Sequence, residues 1–405
     1  MRLSRPLFSQ AAQWLTFASA AAIVFSIAIS QILLGMALLA LLLSGDKLRL
    51  PRIKWPLALF LLGTLLALAF SPHPSEGLAQ IKKFYVFCEL LIVFSCLRNM
   101  RLIRWLFLTW GAAAAIAAVI GMTQFALKVM HAHAEGHAFT NQVYVAERIK
   151  GLAGHWNTFS AEEMFALLMI AALLFFAPVG RWRWPLAGCV SLVSVAILLA
   201  ETRGVWIATG IGGLYLIWCW HKKLILLVPA LIALTFLFSP AQVKHRFESI
   251  VKPQAEDSNS FRIVAWRSGI QMIEKHPLLG LGPDGPKYHF MEYIPADIPR
   301  PLPEGFYQHL HNLYLQYAAD RGIPTMLVLV YMLIQILVDC GRALRRLPPG
   351  RSEAKFLLHG AIAAVVAAMI EGFVEVNLGD TEVLTMFLVV VGCAYLALEK
   401  DLAAA

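Results

Sequence analysis

Residues 10–44 read QAAQWLTFASAAAIVFSIAISQILLGMALLALLLS and contain no charged side chain. A helix needs roughly 20 apolar residues to cross the hydrocarbon core of a bilayer, so this stretch is long enough for two short helices. We predict a turn between them near Ser30 and Gln31. Arg2 and Arg5 precede the stretch as in a signal peptide, but no small-residue cleavage pattern follows, so we expect it to be retained.

Similar apolar runs recur along the whole chain of 405 residues. They begin near Trp55, Phe84, Trp105, Phe159, Trp184, Gly204, Leu224, Ile323, Phe356 and Val383. Because 59% of the residues are hydrophobic and 15% are charged, the apolar surface exceeds what one water-soluble core can bury. We therefore predict an all-α polytopic membrane protein with about 12 transmembrane helices.

The distribution of Lys and Arg predicts the orientation of these helices. With two helices in residues 10–44, the segments on one side hold 19 Lys and Arg, whereas the short loops on the other side hold six. Cytoplasmic loops carry the basic excess, so we predict that both termini face the cytoplasm. Orientation then accounts for the net charge of +9 without a nucleic-acid partner.

The other nine Lys and Arg lie in one polar segment, residues 240–322, which is too polar to be embedded. We predict three parts: residues 1–239 with helices 1–9 and an outer loop near 128–158, residues 240–322 as a long outer loop containing short helices, and residues 323–405 with helices 10–12. The six cysteines lie in or beside apolar runs, without the spacing of a disulfide framework or a metal site.

One helix of the long loop is indicated by a stripe of apolar and small residues. The stripe consists of Phe261, Val264, Ala265, Ser268, Met272 and Ile273. It places Arg262 and Trp266 four residues apart on another face of the helix. A helix that merely lies on the membrane surface is the alternative interpretation.

The end of the long loop carries the strongest candidate for chemistry. His309, His311 and Asn312 directly precede a helical pattern, and Asn312 is a suitable N-cap. A neutral imidazole at such a helix mouth can take a proton from a hydroxyl group. The alternative is that the histidines only hydrogen-bond the end of the helix.

A second candidate feature is an anion site at the outer boundary of the membrane. Arg203 lies in a tight turn between two apolar runs, where an arginine can also simply snorkel to the interface. Arg203 and Arg262 together would form a fork-shaped site for a lipid-linked phosphate or diphosphate. The basic residues that could strengthen the same field are Lys82, Lys83, Arg148 and Lys150.

Two further groups of residues are weaker candidates. His131, His133 and His137 have a metal-like spacing, but only Glu135 lies nearby to complete a ligand set. Carboxylates near the outer ends of the predicted spans are usually functional or paired. These carboxylates are Glu162, Glu163, Glu371 and Glu375.

Four short motifs follow one another between residues 150 and 325. They are Arg203-Gly204, Arg262 with Trp266, PLLGLG at 277–282 and HLHN at 309–312. In this order and on the outer face, they resemble the O-antigen ligase and polymerase superfamily. The resemblance implies a GT-C-like membrane glycosyltransferase that uses glycans on undecaprenyl diphosphate at the periplasmic face of the bacterial inner membrane.

The resemblance also implies roles for individual residues. His311 matches the catalytic histidine, and Arg203 and Arg262 match the arginines that hold the donor diphosphate. The supporting candidates are His309, Asn312, Trp266, Arg148 and Lys82. We expect His311 to deprotonate the acceptor hydroxyl in an inverting displacement that needs no nucleotide, metal or other cofactor.

Within the superfamily, we expect an O-antigen ligase that transfers the glycan to lipid A-core. The chain ends soon after the last predicted span, whereas the relatives that glycosylate proteins, the protein O-oligosaccharyltransferases, tend to carry an extra C-terminal domain. An O-antigen polymerase is the alternative, because its donor would be the same. A transporter or flippase is an alternative of another class, although transporters seldom need so long an outer loop.

Overall fold

The computed structural model describes residues 5–136, 148–239, 243–244 and 259–399, and throughout these ranges the regular structure is helical. Its main helices are α1 (Arg5–Ala22), α2 (Ile27–Ser44), α3 (Lys54–Ala69), α4 (Pro74–Lys82), α5 (Cys88–Cys96), α6 (Met100–Ala134), α7 (Trp156–Phe176), α8 (Arg183–Leu199), α9 (Arg203–His221), α10 (Val228–Phe238), α11 (Asn259–Lys275), α12 (Gly285–His289), α13 (Leu313–Leu344), α14 (Glu353–Glu371) and α15 (Thr381–Leu398).

Eight helical stretches in the described ranges are long and apolar enough to cross a membrane. One of them, Arg203–Phe238, contains α9, α10 and a short 3₁₀ helix between them. Lys54–Ala69 is a shorter apolar helix. The structure therefore agrees with an all-helical membrane protein, while the total of about 12 spans stays a prediction.

The first apolar run contains two helices as predicted, but the predicted position of the turn was wrong. The second helix begins at Ile27, and the hydroxyl of Ser26 caps it by accepting the N–H of Ile29 at 3.4 Å. Ser30 lies inside this helix, where its hydroxyl donates to the Ser19 carbonyl at 2.9 Å. Because this hydroxyl bonds to the neighbouring helix, it does not compete for the backbone hydrogen bonds of its own helix.

The centre of the bundle is formed by α7 and α14, most of whose side chains are buried. Helix α14 packs against α7, α9, α13 and α15. In contrast, α2 and α10 expose large apolar side chains, including Leu39 and Leu237, as helices that face lipid do. The start of α13, the end of α14 and the start of α15 therefore belong to helices that pack at or against the buried centre of the bundle.

Helix α13 is interrupted at Gly322, whose backbone is left-handed with φ +81°. A Cβ at this position would collide with the carbonyl oxygen of Leu278, so only glycine fits. Next to it, the N–H of Ile323 donates to the Pro277 carbonyl at 2.8 Å. The PLLGLG turn is thereby attached to the break in α13, which coincides with the predicted end of the long loop.

A second, smaller core lies in residues 259–312, part of the predicted outer segment, together with one residue of α13. Its buried residues are Val264, Ala265, Met272, Leu281, Phe290, Tyr293, Ile298, Leu310 and Ala319. The predicted apolar stripe of α11 supplies part of this core, and α11 packs against α13. Helix α11 is therefore fixed to the protein instead of lying on the membrane surface alone.

Candidate functional site

The HLHN segment is fixed by the start of α13. The side chain of Asn312 accepts hydrogen bonds from the N–H groups of Tyr314 and Leu315, both at 3.0 Å, which confirms the predicted N-cap. Leu310 is fully buried in the second core. Between these two anchors, His311 adopts a left-handed backbone with φ +47°.

The imidazole of His311 contacts two hydrogen-bond acceptors. Its Nδ1 lies 3.3 Å from Oε2 of Glu375, and its Nε2 lies 2.9 Å from the carbonyl oxygen of Phe306. A neutral imidazole has one N–H and can donate to only one of them. If Nδ1 donates to Glu375, the lone pair of Nε2 is the one that can receive a proton.

Glu375 lies in residues 372–380, between α14 and α15, and links three cationic or titratable groups. Its carboxylate lies 3.3 Å from His311 Nδ1, 3.7 Å from His309 Nδ1 and 3.8 Å from Arg262 Nη2. Burial on its own would raise the pKa of Glu375, but the hydrogen bond with His311 and the nearby positive charges lower it to about 2. The carboxylate is therefore ionised at neutral pH.

Helix α11 brings Arg262 to the same place. Its side chain is 23% exposed, and its Nε is buried without a hydrogen-bond partner among the described residues. Burial lowers the pKa of Arg262, and the nearby carboxylate of Glu375 opposes that shift. Because a guanidinium stays protonated in proteins, this unused donor is suited to an anionic ligand.

These groups line a cavity of about 740 Å³, which has the size of a small-molecule site. Its wall includes His309, His311 and Arg262. The other basic side chains that line it are Lys83, Arg148, Lys287 and Arg321, and the carboxylates are Asp284, Asp320, Glu375 and Asp380. Because both charge signs are present, an anion would bind where positive side chains lie together. Arg148 and Arg262 form one such group.

Arg203 lies in a small recess beside this cavity, of about 30 Å³. Arg262 and Arg148 line both the recess and the cavity, whereas Arg203 lines only the recess. A Cβ on Gly204 would lie 2.5 Å from a methyl group of Val374, so the glycine allows α9 to begin this close to residues 372–380. The structure thus places Arg203 beside Arg148 and Arg262, two of the three arginines of the cavity wall.

Three supporting candidates differ in their position relative to the cavity. Burial lowers the pKa of His309 to about 4, although the Glu375 carboxylate opposes this shift, so the ring is neutral at neutral pH. Trp266 lies outside the cavity lining, and its Nε1 lies 3.4 Å from the His311 carbonyl, to which it donates. Asn312 also lies outside the lining and donates to the Phe373 carbonyl at 3.0 Å.

The remaining supporting candidates are basic. Arg148 is buried, lines the cavity and lies 5.6 Å above the ring of Trp156. Lys82 is exposed and does not line the cavity. Its neighbour Lys83 does, and the Lys83 ammonium donates to the Gly379 carbonyl at 3.1 Å.

Sequence reasoning missed several contributions to the cavity, two of which bear on its charged groups. Arg321 and Asp320 form a buried ion pair at 3.2 Å in the cavity wall. Two adjacent charges just before Gly322, at the start of an apolar run, were the available signal. Asn157 at the start of α7 also donates to Glu375 at 3.0 Å, and no sequence pattern indicates this contact.

Two groups of residues bear on metal binding. The ligand atoms of His309, His311 and Glu375 lie within 4.8 Å of one another, a spacing that could hold a metal ion. A metal-independent reaction therefore stays a prediction. Of the other histidine group, His131 lies 3.1 Å from Glu135 at the exposed end of α6, and His137 lies outside the described residues.

For the glycan transfer expected from the sequence, replacing Glu375 with glutamine should lower kcat by roughly 10²-fold without raising the donor KM. The glutamine oxygen can still accept a hydrogen bond from His311, but the charge that stabilises a protonated imidazole is lost. Arg262 loses a neutralising partner, so donor binding is not weakened. Initial rates at varied donor concentration separate the two constants.

The matched control is Glu292→Gln, which removes an exposed carboxylate that pairs with His289 in the same outer segment. It should leave both constants unchanged. Thermal unfolding of the two variants checks that they are folded. A rise in donor KM with unchanged kcat in Glu375→Gln would show that Glu375 does not act through His311.

Part of the chain matches a known protein family. Residues 188–330 match the family model described as O-antigen ligase. The matched region contains Arg203, Arg262 and residues 309–312, whereas Glu375 lies beyond it. No curated protein matches the chain.

Proposed function

Because residues 188–330 match the family model described as O-antigen ligase, which supports membership of that superfamily, we propose that the chain is an O-antigen ligase. In this proposal it transfers a glycan from undecaprenyl diphosphate to a sugar hydroxyl of lipid A-core, which completes lipopolysaccharide. The observation that carries it is the shared cavity, in which the Glu375 carboxylate lies 3.3 Å from His311 and 3.8 Å from Arg262.

His311 is the proposed general base. Its Nδ1–H donates to Glu375, and its Nε2 accepts the proton of the acceptor hydroxyl. The Phe306 carbonyl lies 2.9 Å from Nε2, so the hydroxyl has to take the place of this carbonyl when the acceptor binds. Glu375 then stabilises the imidazolium that forms.

The bond changes are those of a single displacement. The acceptor oxygen forms a bond to the anomeric carbon of the glycan, and the bond from that carbon to the diphosphate oxygen breaks. The electron pair leaves with undecaprenyl diphosphate, and the proton goes to His311. The configuration at the anomeric carbon is inverted, so a retained configuration in the product would contradict this scheme.

Arg262 is the proposed partner of the departing diphosphate, with Arg148 beside it and Arg203 in the adjoining recess. A diphosphate leaves readily only if its growing charge is stabilised, and guanidinium groups can do this in a partly buried site. The buried Nε of Arg262, which lacks a partner among the described residues, is available for this contact.

The proposed location of the cavity rests on the uneven distribution of Lys and Arg between the two predicted sides. We place the cavity at the periplasmic face of the inner membrane and both termini in the cytoplasm. A periplasmic enzyme has no supply of nucleotide sugars, so the donor must carry its own activated bond. A lipid-linked diphosphate glycan meets that requirement.

The test of this function is the dependence of transfer on the acceptor. Purified protein is incubated with glycan on undecaprenyl diphosphate, with and without lipid A-core, and the products are separated by gel and mass spectrometry. We expect a glycan joined to lipid A-core only when that acceptor is present. Longer lipid-linked glycans in its absence would identify a polymerase, and no new glycosidic bond under either condition would contradict both enzymatic functions.

A further inference from the structure

A second large cavity lies at the other end of α13 and α15. Its volume is about 890 Å³, and four arginines line it: Arg49, Arg52, Arg342 and Arg346. The residues of α13 that line it begin at Asp339, whereas the glycan-transfer cavity is lined by residues of α13 up to Arg321. We call it the arginine cavity, and it lies on the predicted cytoplasmic side.

The carboxylates that line the arginine cavity already have partners. Glu399 forms an ion pair with Arg49, and Asp339 accepts a hydrogen bond from the Tyr395 hydroxyl at 2.8 Å.

The other three arginines of the cavity are Arg52, Arg342 and Arg346. Within the described ranges, their side chains have no hydrogen bond or ion pair with a carboxylate. The lining therefore holds four arginines against two carboxylates, which leaves an excess of positive charge among the described residues.

The positive-inside rule predicts an excess of Lys and Arg on the cytoplasmic side. It does not explain why arginines in particular line this cavity. The basic lining residues are all arginines, although Lys47, Lys54 and Lys355 are predicted on the same side. A guanidinium offers a planar fork of donors that matches phosphate oxygens, whereas an ammonium is a point charge. Arg345, the neighbour of Arg346, does not line the cavity.

The remaining wall is apolar and includes Leu50, Phe94, Leu347 and Leu398. Arginines beside apolar side chains suit a ligand with a phosphate group and an attached hydrocarbon. We propose that the arginine cavity binds a phosphate anion, carried by the headgroup of an anionic phospholipid in the leaflet opposite the glycan-transfer site.

The test uses the full chain purified in detergent and examined by native mass spectrometry with added phosphatidylglycerol or phosphatidylcholine. We expect phosphatidylglycerol to be retained in preference to phosphatidylcholine. The double variant Arg342→Gln/Arg346→Gln should retain about 30-fold less phosphatidylglycerol, because each arginine near a lipid phosphate contributes about 1 kcal/mol and tenfold in binding corresponds to about 1.4 kcal/mol. Arg345→Gln is the matched control and should bind like the unmodified protein.

A second arm distinguishes the source of the phosphate. The thermal midpoint is measured in inorganic phosphate and in sodium chloride of equal ionic strength. A rise in phosphate that the double variant loses, without retention of phosphatidylglycerol, would assign the site to a free phosphate compound and overturn the lipid assignment.

Two controls guard against misfolding and nonspecific charge effects. Arg342→Lys/Arg346→Lys keeps the charge, so it reports on the site if the glutamine variant does not fold, and we expect it to retain phosphatidylglycerol only in part. The proposal is overturned if neither lipid retention nor the phosphate effect depends on Arg342 and Arg346. It is also overturned if Arg345→Gln loses as much lipid as the double variant.

Discussion

Replacing His311 with alanine is expected to slow glycan transfer by about 10²- to 10⁴-fold, the usual contribution of a general base. The imidazole lies 3.3 Å from the Glu375 carboxylate, which orients it and can stabilise its protonated form. His309 stands next to it but lacks the 2.9 Å contact that marks the acceptor position at Phe306. The initial rate with lipid-linked donor and lipid A-core measures the effect.

The control for this variant is His133→Ala, which removes an exposed histidine at the end of α6, outside the cavity. It should transfer at the unmodified rate. Donor binding by His311→Ala should also persist, because Arg262 and Arg148 remain in place. Transfer by His311→Ala at the unmodified rate would show that another group is the base, and loss of activity in EDTA would contradict metal independence.

Replacing Arg262 is expected to have the second large effect. Alanine should lower kcat by about 10²- to 10³-fold, the usual result of removing one donor that stabilises a developing negative charge. Lysine should restore only part of the rate, because it supplies the charge without the planar fork of donors. Single-turnover rates with saturating donor report on this step directly.

Arg267→Ala is the matched control, because Arg267 lies on the same helix but pairs with Asp297 on the exposed side at 2.7 Å. It should leave the rate unchanged. Arg203→Ala tests the adjoining recess and should have a smaller effect than Arg262→Ala, since Arg203 does not line the main cavity. An unchanged rate in Arg262→Ala would remove Arg262 from the donor site.

Local features of the fold could be predicted from the sequence because their causes are local. The cap at Asn312 and the buried stripe of α11 follow from residue type and helical spacing, and both are present. The turn near Ser30 was misplaced because residues 10–44 contain no proline and their only glycine lies beyond that position, so no strong breaker marks the turn. In the structure Ser30 lies inside α2, where its hydroxyl donates to the Ser19 carbonyl.

The arrangement of the site depended on contacts between distant parts of the chain. Glu375 was recognised as a carboxylate that needs a partner, but its partner His311 lies 64 positions earlier in the sequence. Only the packing of α13 against α14 brings the two together. Lys82 and Lys83 differ by one position at a helix end, where the direction of each side chain cannot be deduced from spacing.

The attachment of Pro277 to Ile323 closes the chain between them into a loop whose two ends meet. Surface loops with adjacent, fixed ends tolerate insertions and replacements with little effect on the scaffold that carries them. Within this loop, replacements should be tolerated at exposed positions such as residues 299–301, whereas Leu310 in the second core and His311 at the cavity are held by contacts with the rest of the protein.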